Sequence, residues 1–190
     1  MTATPVTKRA RTRAKLLQAA AAIIGERGFE RTSLDAVAAR AGMTRGAIYG
    51  NFRDKEALFL AVVAERWAPI LPPVVPGATF AQTMHSLGEA VAAALPARRA
   101  ASLAAASFQL YALTHPQMRE SVAAANANIY QEISAKIPQG ALALPAADFV
   151  RVTHALVDGL MLLHALTPEL IDADVVRAAF TVLARGAAEK

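Results

Sequence analysis

Residues 32–52 read Thr-Ser-Leu-Asp-Ala-Val-Ala-Ala-Arg-Ala-Gly-Met-Thr-Arg-Gly-Ala-Ile-Tyr-Gly-Asn-Phe, and this stretch decides the fold. Thr32 offers an N-cap hydroxyl with Asp35 three residues on, an acidic variant of the capping box, and Leu34, Val37, Ala38 and Ala41 recur on one helical face. Gly42 closes that helix of about two turns. Met43 turns back to the core and Thr44 caps a second short helix with Ala47 and Ile48 on its inner side. Two short helices joined by a tight glycine turn cross steeply when a small residue faces the crossing and apolar residues on both bury against a third helix. Ala38, Gly42 and Ile48 meet those demands in order. On the second helix Arg45 and Tyr49 are four apart and share the outward face, while Gly46 removes a side chain where a nucleic-acid backbone or base edge could approach. Such a face suits a helix in the DNA major groove.

Upstream, Leu16, Ala20, Ile23 and Ile24 recur at helical spacing over about residues 9–26, ended by Gly28. Downstream, Asp54 caps a helix whose apolar face is Leu58, Phe59, Val62 and Val63 and which stops near Pro69. Residues 69–77 hold four prolines and read as a linker. Thr79 and Gln82 have capping-box spacing, and further helices are expected at about 79–95, 97–114, 116–137, 146–166 and 172–187, with a break at Pro96.

The composition agrees with an all-α chain. Of 190 residues 46 are alanine, and intrinsic propensity leans to helix and away from an all-β fold. The absence of cysteine removes disulfides, thiolate metal sites and thiol nucleophiles together. Lys8, Arg9, Arg11, Arg13 and Lys15 precede the first acid, Glu26. Residues 1–66 carry twelve Lys/Arg against six Asp/Glu, a net +6, whereas residues 67–190 carry eight against nine, a net −1. That asymmetry is the footprint of a polyanion partner or of a solvated tail. The apolar run 16–24 is interrupted by Gln18 and lacks a small-residue cleavage site, which argues against a signal peptide. No window reads as an apolar span of membrane length, and a soluble cytoplasmic protein without a membrane partner is expected.

Gly28-Phe29-Glu30-Arg31-Thr32-Ser33-Leu34, then Val37 through Phe52, then Asp54-Lys55-Glu56-Ala57-Leu58 resemble the tetracycline-repressor (TetR) family of bacterial regulators, over about residues 9–63. The resemblance implies an all-α homodimer: an N-terminal three-helix bundle with a helix-turn-helix and basic arm (1–66), and a larger helical domain for effector binding and dimerisation (67–190). It implies binding to a palindromic double-stranded DNA operator in successive major grooves, released by a small-molecule effector, with no cofactor and no metal. Carried over by position, Arg45 reads base edges and suits a guanine, and Gly46, Ala47 and Gly50 give close approach. Thr32, Ser33, Thr44, Tyr49, Asn51 and Lys55 hold phosphates; Thr32 could equally be a cap alone, whereas phosphate contact is favoured over a cap alone at Thr44. Gly50 stands where relatives can carry a large side chain, which throws base reading onto Arg45. Ala155 through Leu160 and the final helix resemble the family's dimerisation pair, with Leu156, Leu160, Leu163, Val176, Phe180 and Leu183 as the expected interface.

Trp67, Met84, His85, Phe108, Tyr111, His115, Asn126 and Tyr130, with Met161 and His164, are the candidate ligand-pocket residues, and each has core or surface packing as its plain alternative. The mostly neutral, alanine-rich second region favours a hydrophobic effector. His154 and Asp158, four apart, could share a divalent metal but are only two ligands. Two other classes stay open: an architectural DNA-binding protein without a ligand, and a helical metal-dependent enzyme using His85, His115, His154 and Asp158. No metal-ligand motif, nucleophile elbow or phosphate loop is present for the latter.

Overall fold

A computed structural model describes residues 7–66, 70, 71, 75, 77–137 and 142–188. Trp67 and the prolines at 69, 72, 73, 76 and 138 lie outside the described residues. Eight helices and no strand occur among the described residues: α1 (Lys8–Arg27), α2 (Leu34–Arg40), α3 (Arg45–Tyr49), α4 (Lys55–Arg66), α5 (Phe80–Thr114), α6 (Pro116–Ser134), α7 (Ala146–Leu166) and α8 (Ala173–Ala188). They form two compact units, one of Met1–Ala68 with Leu103–Thr114 and one of Pro69–Ser102 with His115–Lys190. The sequence boundary at 66/67 therefore leaves out residues 103–114, which pack in the first unit.

In the first unit α1 packs on α2 and α4, and α2 packs on α3. Leu16, Leu17, Ala20, Ile23 and Ile24 of α1, Val37 and Ala38 of α2, Ile48 of α3 and Leu58, Phe59 and Val62 of α4 are the buried apolar residues of these helices. The turn after α2 is a Schellman motif: Met43 N–H donates to the Ala38 carbonyl at 2.9 Å and Gly42 N–H to that of Ala39 at 3.1 Å. Gly42 sits at φ 64°, a left-handed conformation that favours glycine. Thr44 caps α3 by accepting from Ala47 N–H at 3.2 Å, and Asp54 caps α4 by accepting from Ala57 N–H at 2.6 Å. The α2 cap differs from expectation. Ser33, not Thr32, accepts from Ala36 N–H, while Thr32 turns inward, 3% exposed, and donates to the Gly28 carbonyl at 2.8 Å.

The last turns of α5 complete this core. Phe59 and Phe108 stack at 3.9 Å, and Phe29 meets Phe59, Phe108 and Tyr111 edge-on at 5.0, 5.2 and 4.8 Å. Ser107 accepts from Phe29 N–H at 2.9 Å, satisfying the backbone just beyond α1.

The second unit is built on Met84, Leu87, Val91 and Leu95 of α5, Phe149, Leu160 and Met161 of α7, and Val176, Phe180 and Ala184 of α8. A Cβ on Gly88 would come within 3.0 Å of Phe180, so glycine there admits the ring. Thr79 and Gln82 form the reciprocal capping box, at 2.8 and 3.2 Å. Pro96 does not break α5 as the sequence suggested. It gives the Ala92 carbonyl no N–H, a loss of about 3 kcal/mol. Val91, Ala92 and Leu95, buried in the core at that point, hold the helix through it. Val176 and Phe180, expected at a dimer interface, are fully buried within the protomer, and Leu160 is buried with them.

α7 also departs from the sequence reading. It is long and apolar enough to cross a membrane by length and composition alone, with a mean hydropathy of 1.4. The physical reason is that it has two apolar faces. One, with Phe149, Val150, Leu160 and Met161, lies in the core. The other has Val152, Leu163 and Leu166 exposed on the side of Gly159, while Leu156 between them is partly buried against the core. α8 has a matching exposed line of Val175, Ala178 and Val182.

Candidate nucleic-acid interface

α3 is short because Thr44 fixes its start and Asn51 its end, where the Asn51 side-chain amide donates to the Ala47 carbonyl at 2.8 Å. Ile48 points into the core and anchors the helix. Arg45, Gly46, Tyr49 and Gly50 are thereby left on the exposed side, together with Ser33 and Thr44. Gly46 and Gly50 keep the backbone of this face bare. Arg45 has its Nε 3.3 Å from Asp35 Oδ1 and its guanidinium carbon 5.5 Å from the Tyr49 ring. Hydrogen bonding to Tyr49 and the charge of Asp35 raise its pKa above the ordinary arginine value.

Lys8, Arg9 and Arg11 are exposed in the first turns of α1, which contain no acid, and Arg13 lies over the Phe52 ring at 4.8 Å. That contact puts the cationic end of α1 beside the chain leaving α3. At the other end of the helix, Arg40 clamps Glu26 with two N–H···O bonds of 2.7 and 2.6 Å. This guanidinium holds the Glu26 carboxyl below its usual pKa and ties α2 to α1.

Not every expected phosphate contact stands free on this surface. The Thr32 hydroxyl is buried and used internally. Lys55 donates to the Glu30 carbonyl at 3.1 Å and sits over the Phe29 and Tyr111 rings at 4.5 and 5.7 Å, a structural placement that the sequence spacing did not reveal. Beside it Tyr111 donates to Glu56 at 2.7 Å, which raises the phenol pKa. The sequence reading missed Asp35 as the partner of Arg45 because a carboxylate in the first turn of a helix already has a role as a dipole partner.

The expected ligand residues are not gathered in one place. Phe108 and Tyr111 belong to the aromatic core of the first unit. Met84 and Met161 are buried in the core of the second. His85 borders an open groove of about 660 Å³ with Val75, Gly77, Ala78, Ala81, Gln82 and Ser86. His115 is exposed at the start of α6 and Asn126 is half-buried along it. Tyr130 is hydrogen-bonded to His154 Nδ1 at 2.7 Å, and His154 Nε2 lies 3.5 Å from Asp158. Nδ1–H of His164 donates to the Ile171 carbonyl at 2.7 Å. Among the described residues no group of three or more His, Cys, Asp or Glu side chains could hold a metal ion.

A pair of short packed helices, a glycine turn and an exposed α3 define a helix-turn-helix protein. Residues 16–62 match the description "Bacterial regulatory proteins, tetR family", and residues 81–186 match "BetI-type transcriptional repressor, C-terminal". The chain belongs to the tetR family of transcriptional regulators. It is similar to the HTH-type transcriptional repressor BepR of Brucella suis biovar 1 (strain 1330), with 35% identity over 88 residues, 45% of this chain and 42% of that protein. The chain spans less than half the length of the curated relatives it matches. Among solved structures, a transcriptional regulator from Rhodococcus sp. Rha1 has the same fold, with a TM-score of 0.73 and 24% identity over 94% of this chain and 98% of that one. The SmeT–triclosan complex has a TM-score of 0.62 and 21% identity, over 92% and 90% of the two chains.

Proposed function

We propose that the protein is a cytoplasmic, ligand-responsive repressor that binds a palindromic operator as a homodimer and leaves it when a small hydrophobic molecule occupies the second unit. The observation that carries this reading is the exposed face of α3, where Arg45 projects from a backbone bared by Gly46 and Gly50. Arg45 would read a guanine, with Ser33, Thr44 and Tyr49 on flanking phosphates and the cations of α1 adding sequence-independent attraction. The second copy would cover the exposed apolar lines of α7 and α8. Gly159 supports this: it lies inside a helix, where glycine is unfavourable by about 1 kcal/mol against alanine. Among the described residues a Cβ there would meet nothing within 4 Å. Its position beside the exposed Val152, Leu163 and Leu166 suits a close crossing by a partner helix.

The similarity to a fold neighbour solved with triclosan supports a hydrophobic effector. Residues of α5 fall in both units, with Ser107, Phe108 and Tyr111 in the first. An effector shifts DNA affinity only by its differential affinity for the two states. The test is fluorescence anisotropy of a bound operator duplex titrated with triclosan and other hydrophobic aromatics. Release of the duplex is expected. Sequence-specific binding that no compound reverses would instead favour an architectural protein, and turnover of a compound that stops on chelation would favour an enzyme.

A further inference from the structure

We infer that Asp35 is a specificity-determining positioning residue: its carboxylate holds the Nε edge of Arg45 so that the terminal guanidinium nitrogens are presented, as a pair, to a guanine. The inference rests on the reading of α3 as the DNA-facing helix.

The observations are a pair of restraints on one side chain. Arg45 Nε is 3.3 Å from Asp35 Oδ1, and the guanidinium carbon stands 5.5 Å from the Tyr49 ring. A guanidinium has five N–H donors in a fixed fork, so a carboxylate beside Nε and the hydrogen bond to Tyr49 still leave terminal N–H donors for the O6 and N7 acceptors of guanine. An arginine without such a support surrenders its side-chain freedom on reading a base and can as readily swing to a phosphate, which carries no sequence information. Asp35 contributes in a second way. Its side chain is 53% exposed beside the face that would meet the polyanion, and a carboxylate there disfavours every DNA sequence alike. Only a site where Arg45 docks on guanine offsets that repulsion, so the pair separates cognate from random DNA more than it strengthens binding. Gly46 and Gly50 leave few side chains on α3 to share the reading, which makes the aim of Arg45 decisive. The competing role for Asp35 is as a plain acid in the first turn of α2, where it favours the helix dipole. That role would act on folding and would leave base preference untouched.

The experiment is selection from a duplex library with a randomised core, followed by binding to the selected duplex and to all single-base variants. Wild type, Asp35→Asn, Asp35→Glu, Arg45→Ala and the double variant Asp35→Asn/Arg45→Ala are compared, with helical content checked by circular dichroism. Wild type is expected to select a guanine in each half-site that Arg45→Ala no longer requires. Asp35→Asn should bind random duplex more tightly, and its preference for that guanine should fall about three- to tenfold, the range between an exposed ion pair and a full bidentate contact. Asp35→Glu should recover part of the preference. In the Arg45→Ala background Asp35→Asn should leave base preference unchanged, the signature of two residues acting as one. If Asp35→Asn keeps the full guanine preference, or shifts selected and random duplex by the same factor, Asp35 is not a positioning residue, while the operator reading survives. If wild type selects no sequence at all, both fall.

Discussion

A guanidinium projects from α3 at position 45, and glycines at 46 and 50 leave the helix backbone open around it. Arg45→Ala should therefore weaken operator binding by about 1–3 kcal/mol and random-duplex binding little, in titrations at several salt concentrations. Equal losses on both DNAs would make Arg45 a phosphate contact. Lys55→Ala should behave differently from a phosphate-site variant. Its ammonium is spent on the Glu30 carbonyl and the Phe29 and Tyr111 rings. The main change should be a lower melting temperature of the first unit, with the salt slope of DNA binding nearly intact. Arg45, Gly46 and Tyr49 were legible in the sequence because four-residue spacing fixes which side chains share a helical face. Thr32 and Lys55 were not, since a hydroxyl or ammonium suited to a phosphate is equally suited to a buried carbonyl or an aromatic ring. Only the fold says which it meets.

The helices themselves were largely readable, because glycine turns, hydroxyl caps and apolar periodicity are local. The caps at Thr44 and Asp54 and the box at Thr79–Gln82 are where the sequence put them. Pro96 misled, since long-range packing on both sides outweighs one absent N–H. α7 misled for a related reason: periodicity reports that a face is apolar but not what covers it. Leu160, Val176 and Phe180 look outward in sequence and lie in the protomer core, whereas Leu163 is 48% and Val182 68% exposed. Leu163→Glu and Val182→Glu should yield folded monomers in sedimentation experiments, with operator affinity much reduced. Gly159→Leu should do the same if a partner helix crosses there. Phe180→Glu should unfold the second unit instead, because it places an unpaired charge in its core. Folded dimers of the Leu163→Glu and Val182→Glu variants would move the interface elsewhere.

Residues 103–114 belong to the first unit although they are distant from it in sequence. Nothing local in the sequence marks them as part of the first unit, since Ser107 and Phe29 are 78 positions apart. Phe108→Ala should destabilise the first unit by about 3–5 kcal/mol through loss of its stack on Phe59, and so weaken DNA binding with no ligand present. Tyr111→Phe keeps the ring and loses the Glu56 bond, so it should be milder in thermal melts. Coupling between effector and operator should be reciprocal: a compound that lowers operator affinity by some factor must bind the operator complex more weakly by the same factor. All of this presumes that two chains place two α3 helices on one duplex. The direct measurement is the mass of the complex formed with the sequence the protein selects from random DNA. The expected result is a palindrome with half-site centres about 34–36 Å apart, occupied by two chains or a multiple of two. A single chain on an asymmetric site, or a library with no enriched sequence, would contradict it.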